Sequence, residues 1–169
     1  MKRKEPVETS PENYRHVQTY RVRYGDLDTY RHVNNKAFLT FVEDARVHYL
    51  IDAAGFTHHQ DDREGVMVVH ASIDYMAQIH PFEHVRVYTR TALIGEKSIT
   101  LHHLIMAGPQ EPRVAAVSIT VLASVDLKTN SSRTNSPAMI NAITTFEKLP
   151  PETKPLQDSA EDPGRSSEH

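Results

Sequence analysis

The sequence predicts an α+β domain: one strand, a long helix, four antiparallel strands and a short closing helix. Three observations predict it. Val17 to Tyr24 alternates apolar and polar residues with the period of two of a half-buried strand. Phe38, Phe41, Val42, Ala45, Tyr49 and Ala53 then recur at spacings of three and four, the stripe of an amphipathic helix. Four more alternating stretches follow, separated by short turn-forming segments.

Each element carries its own punctuation. After the first strand, Gly25 to Asn34 is polar and loop-like. Asn34 or Asn35 can cap the helix over 35–53, and Gly55 can end it. The later strands run Val66 to Tyr75, Val85 to Leu93, Ser98 to Met106 and Val114 to Val125. Gly95 marks the turn after the second of these, and Gly108-Pro109 the end of the third. In the last, Ala115, Val117, Ile119, Val121, Ala123 and Val125 share one face. Ser136 caps the closing helix, Pro137 sits in its first turn, and Met139, Ile143 and Phe146 form its apolar side. The late strands are near-sequential, so they are expected to pair as an antiparallel meander. One helix of about five turns covers one face of such a sheet. The other face and the edges need protection, which points to self-association.

Composition bounds the rest. A chain of 169 residues, 38% hydrophobic and 24% charged, suits a single domain with one core. Its net charge of −3 argues against a strongly basic nucleic-acid binder. The longest nearly apolar stretch, Val114 to Val125, is well short of the ~20 residues of a membrane span. The basic start, Met1-Lys2-Arg3-Lys4, leads into Glu5 and Pro6 rather than an apolar leader segment. With no Cys there are no disulfides, zinc–thiolate sites or thiol nucleophiles, and the expected address is cytoplasmic. Residues 1–15 read as a flexible segment, 16–149 as the folded domain and 150–169 as a disordered acidic tail rich in Pro and Ser. No partner among nucleic acids or membranes is expected.

The chemistry concentrates in Arg23-Tyr24-Gly25-Asp26-Leu27-Asp28-Thr29-Tyr30-Arg31-His32-Val33-Asn34-Asn35. Two carboxylates, a His and two Asn gather where the following helix offers unpaired N–H groups and its positive dipole end. A carboxylate beside backbone donors suits attack of water on a carbonyl: the carboxylate activates the water and the donors hold the oxyanion. A loop rich in Asp and Asn before a helix is also ordinary turn and cap chemistry.

The pattern R-Y-x-D-x-D-x-x-x-H-V-N-N, followed by Phe38, Phe41, Glu43 and Ala45-Arg46, resembles the 4-hydroxybenzoyl-CoA thioesterase family. The resemblance spans roughly residues 17–147. It implies the hotdog fold, a five-stranded antiparallel sheet wrapped around a long central helix, with a short C-terminal helix. It implies an acyl-CoA thioesterase releasing free acid and CoA, with Asp28 as general base on water or as nucleophile forming a mixed anhydride. Seven residues on, the Asn35 N–H becomes the expected oxyanion donor, and its side chain either contacts substrate or caps the helix. His32 holds the loop or assists Asp28, and Asp26 orders the loop through backbone N–H groups or takes a direct catalytic part. Tyr24, Arg31, Asn34, His70 and Ser98 form the expected substrate-binding set, with Arg90 and Lys97 as candidate contacts for CoA phosphates.

The resemblance implies no metal and no cofactor, CoA being part of the substrate. It implies a homodimer or homotetramer with the substrate tunnel between subunits. Two positions depart from the family: Arg31 stands where Gly is usual, and Phe38 where Tyr is common. A carrier-protein thioesterase, a hotdog hydratase using an Asp/His pair, and a non-catalytic acyl-CoA binder are the alternatives. Another branch of hotdog thioesterases places its carboxylate on the central helix, where Glu43 stands; about 12 Å along the helix from Asn35, Glu43 reads instead as the partner of Arg46 in a surface ion pair. The densest His cluster, His58-His59 with Asp61-Asp62, lies in a polar loop without a preset frame for an ion. His102 and His103, adjacent in a strand, must face opposite ways.

Overall fold

A computed structural model describes residues 6–56, 64–110 and 112–154. Its order is β1 (His16–Arg21), α1 (Asn35–Ala54), β2 (Glu64–Tyr75), β3 (His84–Ile94), β4 (Ser98–Ala107), β5 (Arg113–Asp126), β6 (Ser131–Ser132), α2 (Pro137–Phe146) and β7 (Glu152–Thr153). The five long strands run β1-β3-β4-β5-β2, antiparallel throughout, with β6 added to β5 and β7 added in parallel to β3.

The meander holds for β3, β4 and β5 but not for β2. That strand pairs with β5 at the far edge of the sheet. The β2–β3 connection, residues 76–83, is long enough to carry the chain past the end of the sheet. It is anchored there: Met76 and Ala77 donate their N–H groups to the Ala115 carbonyl, and Ile79 is fully buried. Arg113 fixes the far end of the connection. It forks onto Glu83 at 2.8 and 3.0 Å and donates to the Gln78 carbonyl at 2.6 Å.

α1 lies across one sheet face. Asn34 caps it, accepting the Ala37 N–H at 2.8 Å, and Gly55 ends it in a left-handed conformation (φ 70°) that glycine adopts without strain. Its apolar stripe splits between two clusters. Ala37, Phe38, Phe41, Val42 and Ala45 pack on Val85, Val87, Ile105 and Ala116. Tyr49, Leu50 and Ala53 pack on Ile99, Leu101, Leu122 and, from α2, Met139 and Ile143. Burial of residues this size stabilises by about 1.5–3 kcal/mol each, which is what fixes the helix on the sheet. This is the hotdog arrangement.

The predicted alternation in β5 holds from Val117, but its apolar face points away from α1; Ala115, expected on that face, sits at a bulge and packs with α1 instead. Val117 joins Leu104, Met106 and Tyr14 in a cluster on the outer face, while Ser118, Thr120 and Leu122 face the helix. Tyr14 and Val7 help cover that outer cluster. So part of the segment expected to be flexible is packed. Pro11–Asn13 forms a 3-10 turn and Tyr14 is buried, its hydroxyl donating to the Glu8 carbonyl at 2.6 Å. At the other end, Glu152–Thr153 pairs with Leu93 and Ile94, inside the stretch expected as tail. Edge pairing of two residues leaves too short a pattern to read from sequence.

Candidate active site

The Asp28 loop is a closed turn. Leu27 and Val33 form a bridge, and the Asp28 N–H donates to the His32 carbonyl at 2.8 Å. The Asn34 N–H donates to the Asp26 carbonyl at 2.9 Å, and the Val33 N–H reaches the Ile79 carbonyl at 3.0 Å. Asp26 does order the loop, as its spacing suggests. It is buried, accepts the Arg23 N–H at 2.8 Å, and takes two bonds from the Arg23 guanidinium.

Asp28 is held differently. Its Oδ1 accepts the N–H groups of Tyr30 (2.8 Å) and His32 (3.1 Å). The two bonds leave Oδ2 with no protein donor among the described residues. At the start of α1, the Asn34 side chain satisfies Ala37, and the Asn35 N–H has no partner among the described residues. Asp28 and Asn35 line one cleft of ≈ 550 Å³. Tyr30 and His32 come to it from the loop, Phe38 from α1, and Tyr75 to Gln78 from the end of β2 and the connection. The Phe38 and Tyr75 rings meet edge to face at 5.2 Å and form its apolar part.

The other predicted residues divide. His32 lines the cleft, but its ring packs edge-on to His80 at 5.4 Å rather than bonding the Asp28 carboxylate. Asn34 is a cap, its side chain turned to the helix. Arg31 adopts φ 62°, the left-handed region a Gly would occupy freely; it is exposed at the loop tip, and its N–H closes onto the Asp28 carbonyl. Tyr24 is 85% exposed and apart from the cleft. His70 stands in β2 opposite Val121. Alternation from Tyr75 puts it on the other face of the sheet. Ser98 opens β4 at the far end of the sheet, where its carbonyl accepts from Asn135.

Arg90 is buried on the outer sheet face, away from the cleft. Glu43 and Arg46 form the expected pair at 3.7 Å. His58-His59 and Asp61-Asp62 lie outside the described residues. Among the described residues no group of three His, Cys, Asp or Glu could hold a metal ion.

Residues missed from sequence come from the connection. Tyr75, Met76, Ala77 and Gln78 are more than 40 positions from Asp28, and the pairing of β2 with β5 brings them there, with His80 against the His32 ring. No local pattern carries that information.

The family model of the thioesterase-like superfamily matches residues 22–159, from the start of this loop to past α2. The chain belongs to the thioesterase-like superfamily. Among curated proteins it is 32% identical over 85 residues to the uncharacterized protein YsmA of Bacillus subtilis (strain 168). That match covers 49% of this chain and 55% of YsmA, so the chain spans about half of that relative's length. It is 29% identical over 112 residues to the long-chain acyl-CoA thioesterase FadM of Escherichia coli (strain K12), covering 66% of this chain and 84% of FadM. Among solved structures, a Thermus thermophilus thioesterase complexed with coenzyme A and Zn superposes with a TM-score of 0.69 at 28% identity. The superposition covers 82% of this chain and 98% of that one. Thioester hydrolysis is the class of chemistry this superfamily's name denotes. Among the described residues no helix is long and apolar enough to cross a membrane.

Proposed function

We propose that this member of the superfamily hydrolyses an acyl-CoA thioester to a free acid and CoA. The observation that carries the reading is the shared cleft of Asp28 and the Asn35 N–H, one offering a free carboxylate oxygen and the other a free donor. Water held at Asp28 Oδ2 loses its proton to the carboxylate as it attacks the thioester carbon. The oxygen of that carbonyl gains negative charge and turns to the Asn35 N–H, at the positive end of α1. The tetrahedral centre then expels the CoA thiolate, which takes up a proton. Attack by Asp28 itself, through an anhydride that water opens, uses the same atoms.

Three features support hydrolysis. Tyr30 and His32 N–H groups point the Asp28 carboxylate, fixing one oxygen and freeing the other. The His32 ring packs on His80 and makes no hydrogen bond to that carboxylate among the described residues, which disfavours the Asp/His pair a hydratase would use. The Phe38–Tyr75 pair gives the acyl group an apolar wall. The chemistry calls for no metal or further cofactor.

The reading includes a homodimer. β2 is an edge strand with Met67, Val68, Val69 and Tyr75 exposed, as is Met76 just past it, and edge strands of this kind recruit a partner. A second copy paired along β2 would flank the cleft at Tyr75 and Met76 and close the tunnel.

The test is thiol release from short, long and aromatic acyl-CoAs, with Asp28→Asn alongside. Wild-type release, lost in the folded variant, is the expected result and identifies the acyl class. Release that persists in Asp28→Asn overturns the assignment.

A further inference from the structure

A second cavity, ≈ 630 Å³, lies on the opposite face of the sheet. Its floor is Arg90, Ala92 and His102, and its walls are the two terminal segments, residues 6–9 and 149–152. Arg90 and His102 are cross-strand partners on β3 and β4, so their side chains stand together on this face.

Both are more than nine-tenths buried, at 5% and 4% exposure, and both are incompletely bonded. The Arg90 guanidinium makes one hydrogen bond, from Nη2 to the Leu149 carbonyl at 3.0 Å. Its Nε and the His102 Nδ1 have no partner among the described residues. Nη1 of Arg90 and Nε2 of His102 likewise bond to no described residue. A guanidinium this buried normally meets a carboxylate, because a lone buried cation is costly. Arg90 meets none among the described residues, and Glu147, whose charge reaches it, forms no ion pair with it. Burial and the Arg90 charge also hold His102 neutral, down to about 4, so the imidazole does not repel the cation.

We propose that this cavity binds a small ligand through a carboxylate or phosphate group seated on Arg90 and His102. The rim shapes the rest of that ligand. Glu8, whose carboxylate accepts the Ser10 N–H, and the exposed Glu152 are both part of the wall. They repel an extended polyanion such as the phosphates of CoA, and favour a single oxyanion on a neutral or cationic body. The site is therefore separate from the cleft, on the other side of the sheet, and made from the segments that cap the fold at both ends. Occupancy would tie residues 6–9 to 149–152 through the ligand.

The experiment is calorimetric titration of the full chain with inorganic phosphate and, separately, acetate at low ionic strength. Wild type, Arg90→Met and Ala92→Leu are compared, and each titration is repeated with CoA present. Arg90→Met keeps the stem and removes the cation; Ala92→Leu fills the floor and leaves both polar groups alone. We expect saturable binding of at least one anion, weakened tenfold or more by both variants, unchanged by CoA, and with thiol release unaffected. Binding of acetate alone assigns a carboxylate ligand, and of phosphate alone a phosphorylated one. No saturable binding of either anion, binding in both folded variants equal to wild type, or displacement by CoA would overturn the proposal.

Discussion

The two ends of α1 both gather polar groups, and they treat them in opposite ways. At its start, Asp28 keeps one carboxylate oxygen free and the Asn35 N–H is unpaired among the described residues, both facing a cleft. Along its second half, the Tyr49 hydroxyl meets Thr91 Oγ1 at 2.7 Å and donates to Glu147 Oε1, which also accepts the Thr91 N–H. Nearby on the same sheet face, His103 is buried and bonded at both nitrogens, to Thr89 at 3.0 Å and Thr120 at 3.2 Å. His103 is satisfied at both ring nitrogens, and Glu147 offers Oε1 to two donors while its buried Oε2 has no partner among the described residues; polar sets bonded within the core specify the packing, and those facing a cleft are left for a ligand. Burial gives Tyr49 and Glu147 raised pKa values and lowers that of His103 to about 3.

Substitution should separate the two ends. The largest effect belongs to Asp28→Asn, with thiol release falling by about 10²–10⁴-fold and the unfolding midpoint unmoved. Equal loss of midpoint and activity would break the contrast. Asn35→Pro comes next. Asn34 lies at φ −74°, ψ 157°, the extended backbone that precedes a proline without clash, and Asn35 opens the helix, where proline is tolerated. The change removes one N–H and little else. It should cost about 10²-fold in kcat, while Asn35→Ala, which keeps the N–H, stays near wild type.

At the closed end the readout is stability. Tyr49→Phe strips a buried hydroxyl from Thr91 and Glu147, and denaturant unfolding should reveal about 1–3 kcal/mol lost, with kcat retained. The pH dependence follows from three histidines that the fold keeps neutral. His103 is lowered to about 3, His102 to about 4, and His16 is also lowered, each by burial first. Below about pH 6.5 the unfolded chain binds protons that the native state does not, so stability falls as pH drops. Each such His adds about 1.4 kcal/mol per pH unit to the slope until its native pKa is reached. Unfolding measured between about pH 6 and pH 4.5 in His103→Gln should lose about one proton of that slope. The smallest effect is Arg31→Gly: releasing the left-handed residue should raise stability by about 1 kcal/mol, read as a higher midpoint.

The same contrast explains what could be read from the chain. α1 and the strands are legible to within a few residues, because alternation and the three-four stripe are local. That Asp28 and Asn35 lie together is legible because one loop leads from one to the other. His70 and Ser98 lie away from the cleft because a strand's period of two and a sheet's length decide which face and which end a residue reaches. The pairing of β2 with β5 brings Tyr75 and Gln78 to the cleft instead. Arg90 illustrates the limit: a basic residue in an alternating strand reads as solvated, and only the packing of residues 6–9 and 149–152 makes it buried.

The bridge between Leu27 and Val33, with the Asn34–Asp26 bond beside it, clamps both stems of the Asp28 loop. The side chains of Thr29, Tyr30 and Arg31 are therefore replaceable at the loop tip, where Tyr30 lines the cleft, while the Tyr30 and Arg31 N–H groups go on holding Asp28. Libraries randomised at those three positions, with proline left out at 30 and 31, would vary the shape of the loop tip while keeping the backbone bonds to Asp28.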